Sequence, residues 1–211
     1  MIFENWGVTE YRDSWRRQKE TFTALQSDPD AEERIVFTEH KPVYTLGFHG
    51  NEANMIASGS LLESRGAELV RIERGGDITY HGPGQLVVYP LIRLATHGFG
   101  VRQYVEWLES IVIETLSEFG IEASSNKDAI GVWLGWNTPM ARKICAIGVK
   151  ISHGVTMHGL ALNVNTDLTA FSLINPCGFI DKGVTSVEAE VGHKVSIDDV
   201  MEIMKRKINL Y

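Results

Sequence analysis

One feature of the sequence limits the possible folds of this chain most. It is a glycine-rich segment that leads directly into a strongly apolar block. The segment covers residues 74–84 with the sequence RGGDITYHGPG, and the block QLVVYPLI follows it. Glycine lets the backbone take a positive φ or approach a ligand closely, because it has no Cβ atom. The block has the length of a buried strand. A bent, glycine-lined wall followed at once by core is typical of a pocket wall, although a plain hairpin with tight turns would have similar glycines.

The composition is that of a globular chain with one core. The length of 211 residues predicts one domain that spans residues 1–211. No apolar run approaches the roughly 18 residues of a membrane span, and the first residues lack the basic-then-apolar pattern of a secretory signal. We therefore expect a cytoplasmic protein, in which Cys145 and Cys177 are free thiols. A formal net charge of −7 argues against a general nucleic-acid binder.

Periodic apolar residues predict most of the helices and strands. Helical spacing predicts an amphipathic helix over residues 9–26 and a second helix over residues 101–119, which Gly120 ends. The other predicted elements are strands over 34–39, 68–72, 130–134, 143–151 and 155–164, short helices over 60–66 and 168–174, and a final helix capped by Ser196. Residues 40–50 are interpreted as a loop. Because residues 152–154 would join two strands as a hairpin, the pattern favours the α+β class over a doubly wound parallel sheet.

Cys177 and Lys143 are the candidates for nucleophilic chemistry. Cys177 lies between Pro176 and Gly178, where a thiol is more accessible than inside a strand, although most free cysteines are buried small hydrophobes. Cys145 fits that second role, in phase with the apolar residues of its strand. If the strand is regular, Lys143 shares this face, where desolvation would lower its pKa and let it act as a base or hold a thiolate. The sequence equally allows a lysine at the mouth of the strand that points to water, and a bulge would undo the argument from strand parity.

The histidines offer a second arrangement. His81, His158, His40 and His49 are candidates, and Cys177 with His81 or His158 would form a Cys–His hydrolytic pair. No HxxxH or CxxC spacing supports a metal site, and neither a P-loop nor a dinucleotide-binding fingerprint is present. We expect no metal and no cofactor. The residues by themselves predict a glycine-lined apolar pocket with one accessible thiol, and they do not define a substrate.

Four stretches together resemble one family, the octanoyltransferases of lipoate biosynthesis, or lipoyl(octanoyl) transferases. They are EHKPVYTLG at 39–47, RGGDITYHGPGQLVVYP at 74–90, KICAIGVKISHGVTMHGLALNVNTDL at 143–168 and NPCG at 175–178. These stretches follow the order of the family and span most of residues 35–188. The glycine-rich block is specific, and the motifs K..AIGV, T.HG.ALN and PCG follow it in sequence.

The resemblance implies a fold, a reaction and partners. The fold is the α+β fold of biotin- and lipoate-protein ligases, with a mixed, mostly antiparallel sheet and flanking helices. The reaction is transfer of an octanoyl group from octanoyl-acyl carrier protein to a lysine of lipoyl domains, those of 2-oxoacid dehydrogenases and the glycine cleavage H protein. The transfer would pass through an acyl thioester on a cysteine and would contribute to protein lipoylation. We expect a monomer with no nucleic-acid or membrane partner.

The resemblance also suggests roles for individual residues. By matched motif positions, Cys177 resembles the thioester nucleophile and Lys143 the partner that lowers the pKa of that thiol. The residues that resemble the family's acyl pocket are Arg74, Gly75, Gly76, Asp77, Ile78, Thr79, Tyr80, His81, Ala146, Ile147, Gly148, Gly159, Leu160 and Ala161. Cys145 departs from the family pattern, in which we expect a small apolar residue such as alanine. A further hypothesis is that the basic residues Arg12, Arg16, Arg17 and Lys19 dock the acidic carrier protein.

Three alternatives remain open on the sequence. An ATP-dependent lipoate–protein ligase would have the same fold, but such an enzyme needs an adenylate site and no nucleophilic cysteine, so the PCG motif argues against it. A non-catalytic acyl-binding protein would keep the pocket without turnover. A Cys–His amidase or thioesterase would release the free acid faster than it transfers the acyl group to an acceptor.

Overall fold

Two sheets and five helices make up the part of the chain that the computed structural model describes, residues 1–175 and 182–210. The strands are β1 Ile2–Thr9, β2 Arg34–His40, β3 Val43–Leu46, β4 Glu68–Arg71, β5 Ile78–His81, β6 Gln85–Leu91, β7 Ser124–Ser125, β8 Val132–Leu134, β9 Arg142–Ser152, β10 Val155–Asn163 and β11 Gly183–Val184. The α-helices are α1 Tyr11–Ser27, α2 Gly59–Ser64, α3 Val101–Ser117, α4 Val187–Val191 and α5 Ile197–Ile208. Short 3₁₀ helices cover Glu52–Asn54, Leu94–His97 and Leu168–Leu173.

The strand pairing is mixed and mostly antiparallel. The large sheet has the order β1-β2-β6-β10-β9-β8-β7, with β11 beside β9, and the small sheet has the order β4-β3-β5. The parallel pairs are β1 with β2, β11 with β9 and β3 with β4, and the other pairs are antiparallel. Helices pack against this arrangement, so the expected α+β class is confirmed. Within the described residues, none of the helices is long and apolar enough to span a bilayer.

The central strand β10 is buried along its whole length because the sheet is covered on both faces. Leu160 and Leu162 belong to the cluster that α3 and α5 complete, whereas Met157 and Ala161 belong to the cluster that includes residues of α1. Burying each large aliphatic side chain contributes about 1.5–3 kcal/mol. Because both faces of β10 are covered, apolar residues occur on both of its faces and do not follow a simple alternation.

Local signals in the sequence fix several element ends as predicted. The β9–β10 hairpin turns through His153 and Gly154 with φ values of 51° and 74°, the positive values that match the twist of the flanking strands. Gly120, just beyond α3, has a φ of 70°. At the start of α5, the Ser196 hydroxyl accepts a hydrogen bond from the backbone N–H of Asp199.

Three expectations about secondary structure were wrong or incomplete. Residues 40–50 are not only a loop, because they contain the buried strand β3, which is paired on both sides by β4 and β5. The run VYTL consists of residues that favour strands, but it is only four residues long and lies between a proline and a glycine, which indicated a loop. The edge strand β1 was not predicted, and the short helix at 168–173 is of the 3₁₀ type.

Candidate active site

A cavity of about 400 Å³ is lined by β9, β10 and the glycine-rich segment. Its floor contains two cross-strand pairs of small residues, Ala146 opposite Ala161 and Gly148 opposite Gly159. Directly opposed residues of an antiparallel ladder project to the same face, and so do residues two apart on one strand. The small side chains therefore leave room above one face of the sheet, and large side chains of the same strands fill the core on the other face.

The glycine-rich segment lies against this floor at very short range. The Gly75 N–H donates to the Val149 carbonyl at 2.9 Å, which ties the segment to β9. A Cβ atom on Gly148 would lie 2.9 Å from Cδ of Arg74 and 3.0 Å from the carbonyl oxygen of Gly75. Arg74 is itself buried, and its Nη2 donates to the Thr45 carbonyl at 2.7 Å and to the Thr45 hydroxyl at 2.9 Å. A glycine at 148 is what permits this approach.

His81 is fixed by its neighbours on both ring nitrogens. Gln85 donates through its amide nitrogen to Asn163 Oδ1 at 2.9 Å and to the Tyr80 carbonyl at 3.1 Å, so the Gln85 amide oxygen faces His81 Nδ1 at 2.8 Å. We assign the proton to Nδ1 on this basis. His81 Nε2 then accepts from the Thr45 hydroxyl at 3.3 Å. The Gln85 amide oxygen and the Thr45 hydroxyl therefore hold the His81 ring in one orientation.

Burial keeps the histidines near the cavity neutral. Desolvation lowers the pKa of His81 and of His158 to about 3 each. His158 lines the cavity with a φ of 62°, an uncommon conformation for a residue with a Cβ atom. His40 and His49 lie outside the cavity lining; His40 is buried against Tyr89, with a pKa lowered by desolvation to about 4, and His49 is exposed.

Lys143 and Cys145 do not share a face, because β9 has a bulge between them. Val132 of β8 is opposite Cys145 and Trp133 is opposite Lys143, so Ile144 is an extra residue. The prediction that Lys143 lies on the same face of a regular strand as Cys145 is therefore wrong. Lys143 lines the cavity with its Nζ 3.3 Å from the Ile130 carbonyl and 4.6 Å from the centre of the Trp133 ring.

Cys145 has the buried role that its strand position predicts. Its side chain is fully buried in the main core, and this desolvation raises the pKa of the thiol to about 12. A thiol with this pKa is almost entirely protonated at neutral pH, so it is a poor nucleophile.

Cys177 lies outside the described residues. The described residues that follow it, Lys182, Gly183 and Val184, line the same cavity as Lys143, and Val184 pairs directly with Lys143. The other predicted site residues that line the cavity are Arg74, Gly75, Gly76, Asp77, Ile78, Thr79, His81, Ala146, Ile147, Gly148, Gly159, Leu160 and Ala161. Tyr80 instead packs against Tyr44 and Phe171, with ring centres 5.1 Å and 5.7 Å away.

Tyr11 is a lining residue that the sequence did not identify. It is the first residue of α1, it is buried, and its ring stacks on His81 with the centres 5.9 Å apart. The periodicity of residues 9–26 places Tyr11 on the apolar face of the helix, but it contains no information about which distant segment that face meets. Trp133 and Ile130, from the strand and loop before β9, also line the cavity.

The four basic residues of α1 all have partners within the chain. Arg12 pairs with Glu68 at 2.9 Å and Arg16 with Glu20 at 2.8 Å. Arg17 lies over the Trp6 ring at 3.6 Å and Lys19 over the Trp15 ring at 3.9 Å. Their docking of a carrier protein stays a hypothesis. Within residues 1–175 and 182–210, no three or more His, Cys, Asp or Glu side chains are grouped so that they could hold a metal ion.

Comparison with known proteins relates nearly the whole chain to one family. Residues 10–209 match the family described as the lipoyl protein ligase A/B catalytic domain. An octanoyltransferase of Bacteroides fragilis is 52% identical over 211 residues, which cover 98% of this chain and 96% of the relative. The chain belongs to the octanoyltransferases of this family. A second octanoyltransferase, from Bacteroides thetaiotaomicron, is 52% identical over 205 residues, covering 95% of this chain and 90% of the relative.

A solved structure confirms the expected fold for this octanoyltransferase family member. Lipoate-protein ligase A bound with ATP matches with a TM-score of 0.72 over 99% of this chain and 84% of the ligase, at 18% identity. At this low sequence identity, the match is evidence for the fold only. The biotin- and lipoate-ligase-like α+β architecture that the motifs imply is therefore present.

Proposed function

We propose that the chain transfers an octanoyl group from octanoyl-acyl carrier protein to a lysine of a lipoyl domain, through an octanoyl thioester on Cys177. The observation that supports this most strongly is the apolar cavity over the small-residue pairs of β9 and β10. Lys143 lines this cavity together with Lys182, Gly183 and Val184. Burial of the acyl chain would contribute about 0.8 kcal/mol for each methylene. The acyl tail lies over these pairs, and its carbonyl carbon lies toward Lys143.

Cys177 and Lys143 divide the chemistry between them in this proposal. A free thiol with a pKa near 8.5 is only a few per cent ionised at neutral pH, and the thiolate is the form that attacks. The Lys143 ammonium favours the thiolate by charge. The thiolate attacks the octanoyl carbonyl carbon, a new carbon–sulfur bond forms, and the bond to the carrier sulfur breaks. Lys143 gives its proton to the departing carrier thiolate and becomes a neutral amine.

The second half of the reaction restores the starting state. The amine of the acceptor lysine attacks the octanoyl-Cys177 carbonyl carbon, a carbon–nitrogen bond forms, and the Cys177 thiolate leaves. The neutral Lys143 amine accepts the proton that the attacking nitrogen loses. Each turnover therefore returns both an ammonium and a thiolate, and it uses no nucleotide and no metal.

Independence from ATP separates this proposal from a ligase. Purified protein, octanoyl-acyl carrier protein and a lipoyl domain are incubated without nucleotide, and the mass of the lipoyl domain is measured. We expect one octanoyl group on the domain. Modification that appears only with ATP and free octanoate would instead indicate a ligase, and release of free octanoate in place of transfer would indicate a thioesterase.

Filling the cavity floor should shorten the acyl chain that the enzyme accepts. Ala146→Leu adds a branched side chain beside Ala161, in the space proposed for the acyl tail. We expect the rate with octanoyl donor to fall by about tenfold or more, while a butanoyl donor loses little, as judged from overpacking costs of about 1–3 kcal/mol. The matched control is Ala189→Leu at an exposed position. Equal losses for both donors would contradict this placement of the chain.

The proposed partners and location follow from the reaction. The acceptors are the lipoyl domains of 2-oxoacid dehydrogenases and the glycine cleavage H protein, whose lysine attacks the octanoyl-Cys177 thioester. We propose that the chain acts as a monomer in the cytoplasm. Size-exclusion chromatography with light scattering tests the monomer.

A further inference from the structure

One peptide group connects a buried carboxylate to Lys143. The backbone N–H of Gly131 donates to Oε1 of Glu109 at 3.0 Å. The carbonyl of Ile130 accepts from the Lys143 Nζ at 3.3 Å. This N–H and this carbonyl belong to the same planar peptide group. Glu109 therefore contacts one end of a rigid unit whose other end contacts the Lys143 ammonium.

The orientation of this peptide group depends on a glycine. Gly131 has a φ of 121°, which residues with a Cβ atom rarely adopt. A Cβ atom there would lie 2.6 Å from the Cys145 carbonyl and 3.5 Å from Cε of Lys143. The peptide thus lies directly against the bulged part of β9 from which Lys143 projects.

Glu109 is a buried carboxylate whose hydrogen-bond partner among the described residues is the Gly131 N–H. It lies on the buried face of α3, among residues such as Leu108 and Val112, and the residue is 7% exposed. Burial raises the pKa of Glu109, and the hydrogen bond from Gly131 opposes that shift. An apolar residue would pack at this position without the desolvation cost of a carboxylate.

We propose that Glu109 is a positioning residue that holds Lys143 in place through the Ile130–Gly131 peptide group. The inference rests on the proposed role of Lys143 and extends it to a residue on another element. Without the Glu109 contact the peptide can rotate, and the Lys143 Nζ loses a fixed partner.

Two substitutions at Glu109 separate position from charge. Glu109→Gln keeps the length of the side chain and an oxygen that can accept from Gly131, but it removes the charge. Glu109→Asp keeps the charge but is one carbon–carbon bond too short to reach. The rate of Cys177 alkylation by iodoacetamide at pH 7 reports how well Lys143 supports the thiolate, and it needs no turnover. We expect Glu109→Asp to slow alkylation by about tenfold and Glu109→Gln to stay within about twofold of the wild type.

Controls assign the effect to Lys143. Glu106→Asp, one turn earlier on α3 at an exposed position paired with Arg102, should leave alkylation unchanged. In a Lys143→Met background, Glu109→Asp should have no further effect. Additive losses in the double variant, or a Gln variant as slow as the Asp variant, would overturn the proposal. Thermal unfolding checks the fold of each variant, and should the Asp variant not fold, the Gln variant still tests the proposal.

The same variants of Glu109 and Lys143 show whether the positioning role of Glu109 fails or the proposed role of Lys143 fails. If Lys143→Met slows alkylation and Glu109→Asp does not, only the positioning role of Glu109 fails. If Lys143→Met leaves alkylation unchanged, the partnership of Lys143 with Cys177 fails, and the inference fails with it.

Discussion

Octanoyl transfer is expected to disappear when Cys177 is replaced by serine, while the fold is retained. A serine hydroxyl is hardly ionised near neutral pH, and the Lys143 ammonium that favours a thiolate cannot remove the hydroxyl proton. The loss should be about 10⁴-fold or more, as is typical when a covalent nucleophile is removed. Mass spectrometry of a lipoyl domain after incubation with octanoyl-acyl carrier protein measures it.

Cys145→Ala is the matched control for the Cys177→Ser variant. Cys145 is fully buried in the main core, and burial raises the pKa of its thiol to about 12, so this sulfur takes no part in the proposed chemistry. We expect transfer within about twofold of the wild type, with a loss of stability of about 1 kcal/mol from the small cavity. Full transfer by the Cys177→Ser variant would contradict the covalent route.

Lys143→Met is expected to lower the turnover rate by about 10³-fold. Methionine keeps an unbranched side chain of similar length and removes both the charge and the transferable proton, and general acid–base groups contribute typically about 10²–10⁴-fold. Loss of the ammonium should also raise the pKa of the Cys177 thiol toward that of an unperturbed cysteine. The turnover rate and the pH dependence of alkylation by iodoacetamide measure these two effects separately.

Lys150→Met controls for the removal of a lysine from the same strand. Lys150 lies toward the hairpin end of β9, where its Nζ is 3.5 Å from Glu73, and it is not part of the cavity lining. We expect its replacement to leave turnover and the thiol pKa unchanged. An unchanged turnover rate in Lys143→Met would remove this lysine from the proposed mechanism.

Elements governed by local chemistry were predictable from the sequence. The β9–β10 hairpin, the end of α3 at Gly120 and the start of α5 at Ser196 all depend on residues close together in the chain. The family motifs identified the segments that form the cavity. All of the predicted pocket residues except Tyr80 line one cavity. Motifs locate the segments because close backbone approach, as at Gly148, needs a specific residue type at a specific position.

Features that depend on distant partners could not be predicted. Strand β3 exists because β4 and β5 pair with it on both sides, and the sequence VYTL alone does not indicate those partners. The bulge at Ile144 reverses the face of Lys143, and period-two reasoning fails wherever one extra residue enters a strand. Glu109 is separated by 22 positions from the peptide group that it contacts, so no local pattern marks it.

The intact mass of the protein after brief incubation with octanoyl-acyl carrier protein, without acceptor or ATP, tests the central claim most directly. The Cys177→Ser variant is treated in parallel. The account predicts one octanoyl adduct on the wild type, none on the variant, and loss of the adduct when a lipoyl domain is added. An unmodified wild-type protein that still octanoylates the domain, or an adduct that persists in the variant, would contradict it.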